Sequence, residues 1–152
     1  MSNEIRPDQI VTCARRWIGT PYRHQASKCG VGSDCLGLIR GVYRDLYAQE
    51  PETPPPYSPD WAEVPDLRGE RIETMAKAAR RHLTELDVAH TRPGDVLLFR
   101  MTPGAVAKHA AIRSFDDRMI HACSGRAVAE VHMGNWWPRH LAFAFRFPGE
   151  VN

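Results

Sequence analysis

The chain changes its hydrophobic period once, at Arg92-Pro93-Gly94-Asp95, and that switch restricts the architecture more than any other feature. Before it, apolar residues recur at three- and four-residue spacing, as in helices that bury one face; after it they alternate, as in strands. The strand segments fall at 96–100, 109–114, 118–122, 127–133 and 142–147, and Phe143, Phe145 and Phe147 put one face inward. Helices first and a run of short strands second predict an α+β fold with an antiparallel sheet. At 152 residues with no internal repeat, the chain has the length of a single domain spanning 1–152.

In the helical half, Arg6-Pro7-Asp8 opens a first helix in which Ile10, Cys13, Ala14, Trp17 and Ile18 share a face before Gly19 stops it. Thr20-Pro21-Tyr22 begins an extended stretch, and the glycine- and polar-rich run 23–34 has neither period, so it reads as a loop leading into the next helix. Ser33 or Asp34 can cap that second helix, Cys35 is its first residue, and Ile39, Val42, Tyr43, Leu46 and Tyr47 form its apolar stripe. Gly37 and Gly41 lie on one face, each costing about 1 kcal/mol against alanine, so a close neighbour along that face is expected. Residues 49–65 hold six prolines and read as a stiff surface excursion. A third helix is predicted beyond it, with Ile72, Met75, Ala76, Ala79, Leu83 and Leu86 inward.

Several classes of function are disfavoured by bulk properties. No apolar run approaches the ~20 residues of a membrane span, and Met1 to Arg6 lacks the apolar core of a secretory signal, so synthesis in the cytoplasm is expected. A net charge of +2 with scattered arginines gives no basic stripe for nucleic acid. The four cysteines, Cys13, Cys29, Cys35 and Cys123, show no C-x-x-C spacing and are each judged as thiols.

Cys35 is the thiol best placed for chemistry, because unpaired N–H groups and the helix dipole at a helix N-terminus favour a thiolate and can hold an oxyanion. The competing account is a small buried hydrophobe. Asp34 opposes ionisation unless its carboxylate turns away to cap the helix or to meet a cationic substrate group. A nucleophilic thiol needs a base with an orienting partner, and His109 and His121 are the candidates. A hairpin centred on Phe115 would set them directly opposite each other; a turn centred on Asp116-Asp117 would separate them. A zinc set of Cys29, Cys35, His109 and His121 lacks both usual spacings, so no metal or cofactor is expected. Cys13 reads as packing, and Trp136-Trp137 as core or edge packing ahead of a substrate-facing wall.

Five motifs in order, Trp17-Ile18-Gly19-Thr20-Pro21-Tyr22, Gly32-Ser33-Asp34-Cys35-Leu36-Gly37-Leu38, Arg92-Pro93-Gly94-Asp95-Val96, Lys108-His109-Ala110-Ala111-Ile112 and Met119-Ile120-His121-Ala122, resemble the NlpC-type cell-wall peptidases. More narrowly, the chain is similar to members encoded among tail genes of phages and gene-transfer agents. The resemblance implies a papain-like fold with N-terminal helices packed on a C-terminal antiparallel sheet, and hydrolysis of amide bonds in peptidoglycan stem peptides. It implies Cys35 as nucleophile, His109 as base and His121 as the polar third member. Tyr22 then borders the cysteine and assists the oxyanion, with Ser33 beside the site and Asp34 meeting the free amine of the stem peptide. It further implies tail-tip proteins as partners, and delivery to the periplasm or wall in a phage-like particle. Two departures bear on the cleft: Leu36 stands where many relatives have serine, and Arg23-His24-Gln25 where relatives often have paired glycines. The alternatives are a non-catalytic tail-tip or wall-binding component, and an amidase or acyltransferase using the same cysteine and histidine.

Overall fold

A computed structural model describes residues 4–54 and 72–151. Most of the proline-rich excursion, residues 55–65, lies outside the described residues. Pro7 opens helix α1 (Pro7–Arg15) with its φ already helical, and the Gln9 side chain accepts from the Arg6 N–H at 2.8 Å. The helix ends sooner than its apolar pattern suggests. Trp17 continues into the core from a turn, whereas Ile18 is 45% exposed, because Gly19, at φ +90°, redirects the chain and donates its N–H to Val128 O.

A two-stranded ribbon, β1 (Ser27–Lys28) with β2 (Gly32–Ser33), leads into helix α2 (Cys35–Tyr47). Asp34 is the cap: its Oδ1 accepts from Gly37 N at 2.7 Å, while Ser33 Oγ donates to Asp34 O. Helix α2 buries Leu38, Ile39 and Val42 and packs against α1 and the sheet. The close neighbours expected at its glycines are present. A Cβ on Gly37 would lie 1.9 Å from Ala26 O, and one on Gly41 would lie 2.0 Å from the Trp17 ring. Helix α2 can therefore sit tight against both the preceding loop and α1's end only with glycine at these two positions.

Helix α3 (Thr74–His82) is shorter than its pattern. Leu83 is extended, and Leu86, predicted as a helical position, belongs to strand β3 (Thr84–Leu86), which pairs with β8 (Leu141–Arg146). The open edge of β8 satisfies the backbone of 84–86 as a ladder, and this tertiary pairing overrides local helical preference.

The main sheet is antiparallel throughout, in the order β3-β8-β4-β5-β6-β7. Its other strands are β4 (Val96–Phe99), β5 (His109–Arg113), β6 (Arg118–His121), β7 (Ala129–His132) and β8 (Leu141–Arg146), close to the predicted segments. A short helix, α4 (Trp136–His140), precedes β8. The turn that opens the sheet is fixed by charge: buried Asp95 accepts from Arg92 N and from Arg146 Nε and Nη2, tying the turn to β8. Leu98, Ala110, Ile112, Ile120 and Phe145 meet α1 and α2 on one face, and Leu97, Phe99, Ala111, Met119 and Ala144 form a smaller core on the other. The α+β expectation, helices on an antiparallel sheet, holds. Among the described residues no helix is long and apolar enough to cross a membrane.

Candidate active site

The Asp34 cap fixes where α2 begins and therefore where Cys35 stands. Strand β6 ends at His121 opposite Ala111, so β5 extends past it toward its own N-terminal end. The Cys35 sulfur occupies that edge: it donates to Lys108 O at 3.7 Å and receives the N–H groups of Ala110 and Leu36. The thiol thus lies against the backbone on both sides of His109.

The hairpin β5-β6 turns through Asp116 and Asp117, both in the left-handed region, with Ser114 N–H bonded to Arg118 O. His121 faces Ala111, not His109, so the directly opposite pairing expected from a turn centred on Phe115 is not adopted. Alternation keeps His109, Ala111 and His121 on one face, and the two imidazoles meet diagonally. His109 Nε2 and His121 Nδ1 are 2.9 Å apart, with the rings at 84°. His109 has thereby committed Nε2 to His121, leaving Nδ1 as the nitrogen outside that bond. Both histidines are buried, at 8% and 7% exposure.

Burial sets the resting protonation. Desolvation, and secondarily His121, lower His109 to about 3, and desolvation lowers His121. Burial, with the Asp34 charge next in size, pushes the Cys35 thiol up to about 12, against the pull of the two backbone N–H groups. The lowering expected from the helix N-terminus is therefore present but outweighed. Thiol and imidazole rest neutral.

Tyr22 is bridged to Ser33 and half-buried; its hydroxyl is held above its usual range by burial, then by Cys35 and Asp34, which places the phenol within the field of the sulfur. Asp34 is 4% exposed and its second oxygen accepts from Gln25 N at 2.8 Å. With both oxygens on backbone N–H groups, its geometry is that of a cap joining the loop to α2. Ser33 is fully buried, its hydroxyl turned onto the backbone.

Cys13 is buried, donates to Asp45 and is pushed up to about 12, in keeping with packing; Cys29 is exposed and donates to Arg16 O at 3.3 Å. Two neighbours that the sequence left without an assigned role also meet the histidines. Trp137 stacks on His109 (centroids 5.3 Å, planes at 30°), meets His121 edge-on at the same separation, and packs on Phe99. Cys123 Sγ lies 3.4 Å from His121 Nδ1. Alternation assigns neither contact, since Trp137 sits on a five-residue helix and Cys123 beyond the end of β6.

A helix-borne thiol set against an antiparallel sheet that carries a paired imidazole defines the papain-like class of folds. Within that class the chain belongs to the NlpC/P60 family, whose model matches residues 19–146. It is similar to the probable endopeptidase NlpC of Escherichia coli K12, 26% identical over 126 residues, which make up 82% of this chain and 68% of that protein. Among solved structures, the NlpC/p60 domain of the peptidoglycan hydrolase SagA is 23% identical with a TM-score of 0.62, covering 94% of this chain and 100% of that one. NlpC2 of Trichomonas vaginalis is 16% identical with a TM-score of 0.64, covering 93% of this chain and 46% of that one. An NlpC/P60 family protein of Bacillus cereus is 21% identical with a TM-score of 0.62, covering 93% and 40%. The chain thus spans under half the length of these last two proteins.

Proposed function

We propose that the protein is a cysteine peptidase that hydrolyses amide bonds in the stem peptides of peptidoglycan. The observation that carries this reading is the 2.9 Å bond from His109 Nε2 to His121 Nδ1, made while the Cys35 sulfur rests on the backbone either side of His109. Family membership and the NlpC and SagA relatives, a probable endopeptidase and a peptidoglycan hydrolase, support the substrate class.

The chemistry starts from a neutral pair. As the Cys35 sulfur attacks the amide carbon, its proton passes to His109 Nδ1, and the resulting imidazolium is steadied by His121. The carbonyl electrons move to oxygen, and the Cys35 backbone N–H and the Tyr22 hydroxyl are the donors that would hold the oxyanion. Collapse expels the amine, which takes the proton from His109 and leaves a thioester on Cys35. Water, deprotonated by His109, then adds to the thioester, releasing a carboxylic acid and restoring the thiol. Burial makes this coupled transfer the lower path, because a free thiolate and a free imidazolium would each lose hydration in the enclosed site.

Digestion of purified muropeptides by wild type and by Cys35→Ala, with mass analysis of products, tests the reading. Cleavage with uptake of one water by wild type and none by the variant is expected; equal turnover by both, or binding without turnover by both, refutes it. A product joined to an added amine would instead identify an acyltransferase. Delivery in a phage-like tail particle is proposed on the sequence resemblance alone, and absence of the protein from purified particles would refute it.

A further inference from the structure

Beside the nucleophile, three side chains converge in a way the peptidase reaction does not require. Among the described residues, His109, His121 and Cys123 form a group whose ligand atoms all lie within 4.8 Å of one another. The separations are 2.9 Å from His109 Nε2 to His121 Nδ1 and 3.4 Å from that same Nδ1 to Cys123 Sγ. A tetrahedral zinc ion, with Zn–N of about 2.0–2.1 Å and Zn–S of about 2.3 Å, sets its ligands roughly 3.3 Å (N to N) and 3.6 Å (N to S) apart. Both measured separations need to open by only a few tenths of an ångström. The donors are two imidazoles and one thiol, the set that borderline and soft ions select over magnesium or calcium. Cys29 and Cys35, whose spacing with the histidines the sequence reading set aside as a zinc set, are not members of this trio.

We propose that His109, His121 and Cys123 bind a thiophilic divalent cation such as Zn²⁺, and that the bound ion switches the peptidase off. The inhibitory half rests on His109 serving as the base; the binding half does not. Zinc enters between the imidazoles in place of the hydrogen bond, and Cys123 gives up its thiol proton to solvent to become the third ligand. A fourth position remains for water. With Nε2 on the metal, the neutral ring can carry its proton only on Nδ1, the nitrogen that must receive the proton of Cys35. The base is lost by a change of tautomer, with the nucleophile untouched. Cys123 takes no part in the reaction as written, so the device is removable without removing catalysis.

Cobalt(II) is the probe for binding and Cys35→Ala the background, since it removes the competing nucleophile and keeps the trio. One Co²⁺ per chain is expected, with tetrahedral d–d bands and a thiolate-to-cobalt charge-transfer band, both abolished by Zn²⁺; Cys35→Ala/Cys123→Ser should lack the charge-transfer band and bind at least about tenfold more weakly. No charge-transfer band in Cys35→Ala, or the same band in the double variant, overturns the site, whatever the enzyme's substrate. In the intact enzyme, Zn²⁺ should inhibit turnover reversibly, with EDTA restoring it. Cys123→Ser should keep turnover and need at least about tenfold more Zn²⁺ for half-inhibition; equal sensitivity of Cys123→Ser and wild type overturns the switch.

Discussion

Gly41 supports a quantitative test of how α2, and with it Cys35, is held. A methyl group placed there would lie 2.0 Å from Trp17 Cζ2 and 2.1 Å from Cη2, well inside contact distance. The indole cannot simply swing out, because it is 1% exposed and its Nε1–H donates to Asp45, one turn further along the same helix, at 3.2 Å. Gly41→Ala therefore sets two effects against each other. Alanine gains about 1 kcal/mol of helix propensity, while overpacking costs roughly 1–3 kcal/mol and a weakened indole hydrogen bond about 1 kcal/mol more. The steric side wins, for a net loss of about 2 kcal/mol and a fall in Tm of about 4–8 °C for a chain of this size. Urea and thermal unfolding followed by circular dichroism would measure it. In a Trp17→Leu background the clashing ring atoms are gone, and Gly41→Ala should become neutral or stabilising, so that the double-mutant cycle isolates the contact. Gly41→Ala as stable as wild type, or equally costly in both backgrounds, would refute the account.

Asp34→Asn keeps an acceptor for Gly37 N but removes the charge that raises the Cys35 thiol, so the pH profile of iodoacetamide alkylation at Cys35 should move to lower pH; no movement would show that the carboxylate does not reach the sulfur. Trp137→Leu removes the ring stacked on His109 and should lower kcat by about tenfold through looser positioning, with KM little changed and Cys35 alkylation preserved. Glu150, whose side chain is fully enclosed, is raised to about 7 by burial and then by Asp95, against Arg92 and Arg146. The folded state thus holds a proton that the unfolded chain has lost between pH 4.5 and about 7, and stability falls as pH rises through that window. Glu150→Gln should flatten the fall and be the more stable protein at pH 8, by on the order of 1–3 kcal/mol, in denaturant titrations at pH 4 and pH 8.

The parts legible in the sequence are those governed by short-range rules. The Arg92-Pro93-Gly94-Asp95 turn, the alternating strands after it and the Asp34 cap all follow from local backbone chemistry, and the structure keeps them. Gly37 and Gly41 announced a close approach, although their identities could not name Ala26 or Trp17 as the neighbours. Where local preference competes with a partner brought in by the fold, the pattern misleads. Leu86 continues a helical stripe yet joins β8, and Ile18 continues the stripe of α1 yet is exposed. The protonation of Cys35 belongs with these cases: the helix N-terminus is readable in sequence, but the depth of burial that outweighs it is a property of the assembled layers.

The histidine pair shows how little the sequence must specify for such a site to form. In an antiparallel hairpin two residues share a face when the sum of their numbers matches the parity of the paired register, and the observed pair Ala111 and His121 has the same even parity as His109 with His121. Moving the hairpin's centre from Phe115 to Asp116 changes the partner of His121 but not its face, so the imidazoles exchange a directly opposite arrangement for a diagonal one and still meet at 2.9 Å. A shift of a single residue in one strand would have sent one ring to the other face. Parity is thus the constraint that the turn must respect, and the left-handed pair Asp116 and Asp117 respects it. The finer placement follows from where β6 stops: ending at His121, it leaves the edge of β5 open to Cys35 and lets the chain turn Cys123 back onto the histidine, so one strand terminus brings two thiols to the histidine pair.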